Sequence, residues 1–292
     1  MNDHSEGEII MSEVVEEFKL TTAFESFKYW FVRNSADLTR WNVIDRESMQ
    51  LVQEAIDENA LVADPEFNAD FTLFQYNRPE YLVGSVIKGY DMKELPDMLD
   101  YLLTGAILCR AYRQGKNPDT AVPTSNAIIK WLHETDFYRA PASTQYHEAY
   151  VGGLLVHTMN VYNTAVELHK VNKFNEVPMD SIALVSIVHD WCKIGNYESY
   201  NRNVKNDETG TWEQVLSFRN KSINIPLGHG VTSMFLASKF FRLSAEESAA
   251  IRWHMNHWNV ADNEVNDLQR ANENYRMVHY IQFADQLSIV SY

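Results

Sequence analysis

The feature that most constrains this chain is a series of apolar residues at helical spacing in its second half. Residues three and four positions apart lie on one face of a helix, so each such series predicts a helix with one buried side. The series occupy residues 154–170, 181–193, 231–241, 245–258 and 275–290. Consecutive helices of this kind predict a helical bundle.

The first half of the chain shows a less regular version of the same pattern. Helical spacing predicts helices within residues 13–63 and one more at residues 95–112. The aromatic residues that show the spacing in the first stretch are Phe18, Phe24, Phe27, Trp30 and Phe31. Residues 115–123 are rich in Gly, Asn, Asp and Pro and indicate a connection. We therefore expect a mostly helical accessory region at residues 1–122 and a second domain at residues 123–292.

One segment of the second half departs from helical spacing. Residues 197–225 alternate polar and β-prone side chains around Glu208-Thr209-Gly210, which predicts an inserted hairpin or ordered loop. The segment lies between helices that carry histidines, where a loop could cover a pocket. The predicted fold class is therefore all-α: a helical bundle with an inserted hairpin or loop, preceded by a mostly helical N-terminal region.

The charge and the cysteine content limit which binding partners and which cellular compartment we expect. The formal net charge of -15 opposes non-specific attraction to a phosphate backbone. The chain has no uninterrupted apolar stretch of about 18 residues, so we expect no membrane span. Cys109 and Cys192 lie far apart without a CxxC partner, which predicts reduced thiols in a cytoplasmic protein.

Histidine and aspartate residues interrupt the apolar faces of the predicted helices. His157, His189 and Asp285 each lie on the apolar face of a different helix, and Asp190 follows His189 directly. An ionised carboxylate on a core-facing stripe costs several kcal/mol unless a cation compensates it. Two aspartates beside two histidines therefore predict a bound metal ion.

Two further histidines extend this set. His254 lies on the apolar face of its helix, and His229 lies at the expected start of another. The candidate metal ligands are His157, His189, Asp190, His229, His254 and Asp285. Imidazole and carboxylate donors suit one or two divalent transition-metal ions (Mn, Fe, Co, Ni or Zn) better than Ca or Mg. Asp190, the expected bridging ligand, could reach a second ion from the edge of its helical turn. His257, one turn after His254, is an alternative to that residue.

These residues belong to an ordered series: His147-Glu-Ala-Tyr-Val-Gly-Gly-Leu-Leu-Val-His157-Thr, His189-Asp190-Trp-Cys-Lys193, Gly228-His229, His254 and Ala284-Asp285. The series resembles the HD superfamily of metal-dependent phosphohydrolases over residues 141–290. Its opening is similar to that of YhaM-type bacterial exoribonucleases and of HD domains in conjugative-transfer proteins. The chain departs from the pattern at His254-Met255-Asn256-His257, where adjacent histidines are frequent.

The resemblance implies hydrolysis of a phosphate ester by a metal-bound hydroxide. Asp190 and Lys193 would be catalytic, because Lys193 follows by one turn and can bring its ammonium near developing negative charge. Lys193 would also contact substrate. Arg219 and Lys221 lie in the inserted segment and could bind a terminal phosphate, and His147 could line the pocket.

The expected substrate is a nucleotide or another small phosphate ester. A 3'-5' exonuclease on single-stranded nucleic acid is an alternative that requires a basic channel, so the acidic charge disfavours nucleic acid as a partner. A non-catalytic nucleotide-binding regulatory protein is a second alternative, and the intact set of ligands argues against it. We expect a small phosphorylated partner and no membrane partner, and the chain could form a homo-oligomer.

Overall fold

The computed structural model describes residues 28–33, 40–45, 48, 50–68, 70–71, 83–87, 91–172, 177–207, 209–221 and 225–290. The chain forms two compact units, Met1–Tyr81 and Leu82–Tyr292. The boundary predicted between residues 122 and 123 lies inside the second unit. Among the helices of the described ranges, none is both long and apolar enough to cross a lipid bilayer.

In the first unit, three antiparallel strands form a sheet in the order β1-β2-β3. The elements are β1 (Tyr29–Arg33), β2 (Trp41–Asp45), β3 (Leu51–Ile56) and a short helix, α1 (Glu58–Ala63). Alternate residues of a strand share one face. Trp41 and Val43 of β2 are accordingly buried together, in a cluster with Leu61, Phe67 and Phe71. This cluster is the core of the described part of the unit.

Two predictions are wrong here. The prediction of helices within residues 13–63 fails at β1, β2 and β3, and both Trp30 and Phe31 lie in β1. A run of aromatic residues this short matches the period of a strand as well as that of a helix. Pairing with a neighbouring strand decides that it forms a strand. Phe18, Phe24 and Phe27 lie outside the described residues. The all-α fold class, with its mostly helical N-terminal region, is wrong because the chain combines helices with two antiparallel sheets.

Helices dominate the second unit. They are α2 (Leu95–Arg113), α3 (Val122–Glu134), α4 (Gly153–Asn172), α5 (Met179–Val188), α6 (His229–Ser238), α7 (Ala245–Trp253), α8 (Val265–Asn274) and α9 (Arg276–Val290). Pro96 and Pro123 occupy the first turns of α2 and α3, where a helix does not need the missing N–H. The helices predicted at this end of the chain from apolar spacing are confirmed, and α3 and α8 are additional.

Three of the confirmed helices, α5, α6 and α7, end earlier than predicted. α5 ends at Val188 and α7 at Trp253, and a 3₁₀ turn follows each of them. A 3₁₀ turn has about three residues per turn instead of 3.6 and so changes the directions of its side chains. His189 and His254 come directly after these two helix ends.

α5 is the central helix of the second unit. Residues 180–188 are all buried, as expected for a helix with packing partners on every side. The helices α2, α4, α7 and α9 all contact it. The residues that follow its C-terminal end therefore lie in the interior of the unit.

The inserted segment is a hairpin, as predicted. β4 (Tyr197–Lys205) pairs antiparallel with β5 (Trp212–Asn220), with Tyr197 opposite Asn220 and Lys205 opposite Trp212. Most side chains of the hairpin are exposed, and Phe218 is the buried member of β5.

Candidate metal centre

Two glycines bring the start of α4 against the loop that precedes it. Gly152 has a φ of +85°, a left-handed conformation that favours glycine. A Cβ on Gly153 would lie 1.9 Å from the carbonyl oxygen of Glu148, so only glycine allows this approach. The packing places His157, in the early part of α4, in the interior, where it is fully buried.

The end of α5 supplies the next two side chains. His189 and Asp190 follow the helix directly, and both are buried. The Nδ1 atom of His189 lies 2.7 Å from the carbonyl oxygen of Ser186. Because a carbonyl oxygen only accepts, this nitrogen carries the hydrogen. The lone pair of a neutral His189 ring is therefore on Nε2.

A second pair of histidines comes from α6 and α7. A Cβ on Gly230 would lie 2.2 Å from the carbonyl oxygen of Arg252, so glycine allows the start of α6 to pack on the end of α7. The ring centroids of His229 and His254 are consequently 5.1 Å apart. Nδ1 of His254 donates to the carbonyl oxygen of Ile251 at 2.7 Å, which again leaves the lone pair on Nε2.

Asp190 lies between the two pairs of histidines, and its carboxylate oxygens face different pairs. Oδ2 lies 3.4 Å from Nε2 of His157 and 3.5 Å from Nε2 of His189. Oδ1 lies 2.6 Å from Nε2 of His229 and 3.5 Å from Nε2 of His254. One carboxylate thus connects two groups of nitrogen donors.

Asp285 of α9 completes the first group. Its Oδ1 lies 3.1 Å from Nε2 of His157, and the Nε2 atoms of His157 and His189 are 3.4 Å apart. Donors that bind one ion at about 2.0–2.2 Å are separated by roughly 3.0–3.5 Å from each other. The separations in the first group have these values. The histidine cluster consists of His157, His189, Asp190, His229, His254 and Asp285.

One nitrogen of the histidine cluster has no hydrogen-bond partner, which indicates a site for a cation. Nε2 of His254 is buried without a hydrogen-bond partner. Burial of an unpaired polar atom costs about 1–3 kcal/mol, and a cation would remove that cost by binding the lone pair. His157, His189 and Asp190 place one donor atom each within 4.8 Å of one another. The buried cluster could therefore hold a metal ion.

The histidine cluster keeps its carboxylates ionised. Burial opposes ionisation, but Lys193 and His189 hold the pKa of Asp190 well below its usual range. Burial also opposes ionisation of Asp285, and the hydrogen bond with His157 nevertheless keeps the pKa of Asp285 low. Burial by itself lowers the pKa of His157, but hydrogen bonds with Asp190 and Asp285 raise that pKa to about 9. The carboxylates therefore offer the negative charge that a cation requires.

Lys193 lies against the histidine cluster. Its side chain is buried, and Nζ donates to Oδ2 of Asp190 at 2.5 Å. Burial disfavours the charged form, but Asp190 outweighs this effect, so the pKa of Lys193 lies above its usual value. The ammonium is therefore next to the predicted bridging carboxylate, and its contact with a substrate stays a prediction.

His147 and its neighbour Glu148 lie on the other side of His157. The ring centroids of His147 and His157 are 4.8 Å apart, and burial lowers the pKa of His147 to about 4. Oε2 of Glu148 lies 3.9 Å from Nδ1 of His157. This distance is too long for a hydrogen bond, and both atoms are buried without a hydrogen-bond partner. Glu148 is missing from the predicted site, although its place in the motif, directly after His147, could have indicated it.

Cys192 is a second residue that the sequence pattern did not single out. Together with Asp190 and His229 it forms a group whose donor atoms lie within 4.8 Å of one another. Burial raises the pKa of Cys192 to about 12, so its sulfur is a neutral thiol. Its position two residues after Asp190 is the sequence feature that could have indicated it.

Three other candidates lie apart from the histidine cluster. Arg219 is exposed on β5 and donates to Glu198 at 2.6 Å, and Lys221 is exposed just after that strand. The phosphate contact of these two residues stays a prediction. His257 is exposed in the 3₁₀ turn after α7, so it is His254 that contributes to the cluster.

No family model, curated protein or solved structure matches the chain. The likeness to the HD superfamily therefore rests on the motif residues alone. The chemistry of the site is inferred from the donor atoms, separations and charges of the histidine cluster.

Proposed function

We propose that this chain is a metal-dependent phosphohydrolase of the HD superfamily that acts on a nucleotide or another small phosphate ester. The observation that carries the proposal is the carboxylate of Asp190, whose two oxygens face separate histidine pairs in the interior. Lys193 compensates part of this buried charge, and each oxygen also faces histidine nitrogens that could bind a cation. The position of Asp190 therefore favours a ligand that connects two ions.

Two groups of donors would hold the ions. The first consists of His157, His189, Asp285 and Oδ2 of Asp190, and the second of His229, His254 and Oδ1 of Asp190. Mixed nitrogen and oxygen donors favour Mn, Fe, Co, Ni or Zn over Ca or Mg. The unsatisfied Nε2 of His254 supports occupation of the second group.

A bound divalent ion lowers the pKa of a coordinated water and withdraws negative charge from phosphoryl oxygens. The surrounding residues would keep the donors in position. Backbone carbonyl groups fix the rings of His189 and His254 through their Nδ1 hydrogens. Lys193 carries a positive charge beside Asp190 and would attract a phosphate group and stabilise the negative charge that develops on it.

The charge of the chain favours a small substrate over a polymer. A formal net charge of -15 opposes binding of a long phosphate backbone, whereas the buried Lys193 provides positive charge at one point. Cys109 and Cys192 form no disulfide in the described part of the chain, which supports a reducing, cytoplasmic setting. We therefore expect a partner of nucleotide size.

Hydrolysis assays test the proposal. The purified chain is incubated with Mn and with nucleotides, sugar phosphates and short oligonucleotides, in the presence and absence of a chelator. We expect metal-dependent hydrolysis of small esters that is lost in His189→Ala and retained in His257→Ala, a control that changes an exposed histidine. Hydrolysis that survives both the chelator and His189→Ala, or no hydrolysis with any of the candidate metals, would contradict the proposal.

A further inference from the structure

A cavity of about 340 Å³ lies beside the histidine cluster. Cys192 and His229 line the cavity and also belong to a group of residues that could hold a metal ion. The cavity therefore shares a wall with the proposed reaction site. Its other walls include the aromatic, apolar and amide side chains of Trp131, Ile194, Asn196, Ile225 and Leu236.

Trp131 of α3 gives this cavity a fixed aromatic surface. The residue is half-buried, and its ring centroid lies 5.0 Å from that of Trp191 and 5.1 Å from that of Phe240. These two neighbours restrict the movement of the indole. An aromatic ring held in this way is a surface on which another planar ring can stack.

Asn196 gives the same cavity a polar group that can form further hydrogen bonds. Its Oδ1 is buried without a partner, whereas the hydroxyl of Thr232, which also lines the cavity, donates to the carbonyl oxygen of Gly228 at 2.7 Å. The backbone before Asn196 is fixed, because the N–H of Gly195 donates to Asp136 at 2.7 Å. A side-chain amide has both a donor and an acceptor, as recognition of the edge of a heterocyclic base requires.

The size and position of the cavity limit what can occupy it. Small-molecule sites have volumes of about 300–1,000 Å³, so 340 Å³ suits a single ring system and not an oligonucleotide. His229 connects the cavity to Asp190. A ligand whose phosphate lies at the histidine cluster could therefore place its ring in the cavity.

We infer that this cavity binds the base of a nucleoside phosphate, with the base stacked on Trp131 and its edge facing Asn196. The inference rests on the proposed hydrolysis at Asp190 for the position of the phosphate, but binding of the base can be measured by itself. Trp131 is then a specificity-determining residue, which favours nucleotides over sugar phosphates.

Steady-state kinetics test this specificity on nucleoside 5'-monophosphates and on ribose 5-phosphate, which has the same ester and sugar but no base. Trp131→Leu is compared with Trp131→Phe, which keeps an aromatic ring, and with Trp212→Leu, which changes a tryptophan that is 69% exposed in the hairpin. We expect Trp131→Leu to raise KM for the nucleotides about tenfold or more and to leave kcat within about twofold. Hydrolysis of ribose 5-phosphate should not change, and the other two variants should resemble the natural chain.

Calorimetric titration with nucleosides that lack a phosphate separates the base site from the hydrolytic activity. We expect nucleoside binding by the natural chain and by Trp212→Leu, and its loss in Trp131→Leu, with circular dichroism confirming that each variant is folded. If no phosphate ester is hydrolysed, the proposed function fails, and this titration alone decides on the base site. The inference is overturned by nucleoside binding that is absent or indifferent to Trp131→Leu. It is also overturned by equal kcat/KM for nucleotides and ribose 5-phosphate.

Discussion

The second unit contains two clusters of charged groups, and they differ in how their polar atoms are satisfied. In the arginine cluster, which consists of Arg110, Arg113, Asp180 and Glu247, each guanidinium group pairs with a carboxylate. Arg113 donates twice to Asp180, at 2.9 and 2.8 Å, and Arg110 donates to Glu247. Two positive groups therefore neutralise two negative groups. Nε of Arg110 is also buried without a hydrogen-bond partner, but it is a donor and cannot bind a cation.

In the histidine cluster, the charges of Lys193 and His157 offset those of the two carboxylates, but the lone pair of one nitrogen stays without a partner. The Nδ1 hydrogens of His189 and His254 are used by backbone carbonyls, so neutral rings direct lone pairs towards the carboxylate of Asp190. Nε2 of His254 has no partner. Lone pairs that face an anion are unfavourable in a medium of low dielectric constant. Paired charges therefore do not identify a ligand site, whereas a buried acceptor without a donor indicates one.

The two clusters should differ most in how hydrolysis responds when one aspartate of each is changed to asparagine. Asp190→Asn removes the charge that connects the two donor groups. We expect kcat/KM for phosphate hydrolysis to fall at least about a thousandfold, because a bound ion supplies several kcal/mol of charge stabilisation. Asp180→Asn, the matched variant in the arginine cluster, should leave kcat of the folded protein unchanged. Similar losses of kcat in both variants, measured under saturating Mn, would remove the distinction.

The free energy of unfolding should depend on the arginine cluster, in contrast to activity, which should depend on the histidine cluster. Glu247→Gln removes the carboxylate that pairs with Arg110, and we expect the free energy of unfolding to fall by about 3 kcal/mol or more. Urea denaturation in the presence of a chelator measures the loss. Glu198→Gln, which changes the exposed partner of Arg219, is the control and should cost less than about 0.5 kcal/mol. A loss of stability no larger than that of the control would show that the arginine cluster does not depend on this ion pair.

Added metal should stabilise the protein through the histidine cluster alone. At a free ion concentration of about 100 times Kd, we expect an increase of about 2.7 kcal/mol in the free energy of unfolding. Glu247→Gln should gain a similar amount, and His254→Ala, which removes the unsatisfied nitrogen, should gain less. The measurement is urea denaturation with and without Mn. An unchanged increment in His254→Ala would exclude this nitrogen as a ligand.

Metal binding should depend on pH. The hydrogen bonds with Asp190 and Asp285 overcome burial and raise the pKa of His157 to about 9, so its ring is protonated at neutral pH. A histidine ligand must be neutral, and metal binding therefore releases a proton. We expect affinity to increase with pH, by at most about tenfold per unit for one proton, and to level off above the pKa of His157. Calorimetry in buffers of different ionisation enthalpy counts the proton, and an affinity that does not change between neutral pH and that pKa would contradict this protonation.

The sequence could predict which residues form the histidine cluster because long apolar stripes fix the buried face of a helix. His157 and Asp285 lie on such stripes in α4 and α9, and the structure brings them together. The division of donors between the two oxygens of Asp190 could not be predicted. It depends on the early end of α5 and on the contact between α6 and α7 that Gly230 allows.

The strands of the first unit and the residues that line the cavity were harder to predict from the sequence. Trp30 and Phe31 lie in a short run that fits either period, so pairing between distant segments decides that they form a strand. The hairpin of β4 and β5 was predictable because its alternation extends over a longer segment. Trp131 carries no distinguishing pattern in the sequence, since its place in the cavity wall arises only from contacts with Trp191 and Phe240.

Metal content tests most directly whether the histidine cluster is a metal centre. The measurement is elemental analysis of the natural chain, purified without chelator and supplemented with Mn, beside the double variant His189→Ala with Asp190→Ala and the control His257→Ala. We expect about one or two ions per chain in the natural protein and in the control, and almost none in the double variant. Metal far below one ion per natural chain, or equal metal in a folded double variant, would show that the histidine cluster is not a metal centre.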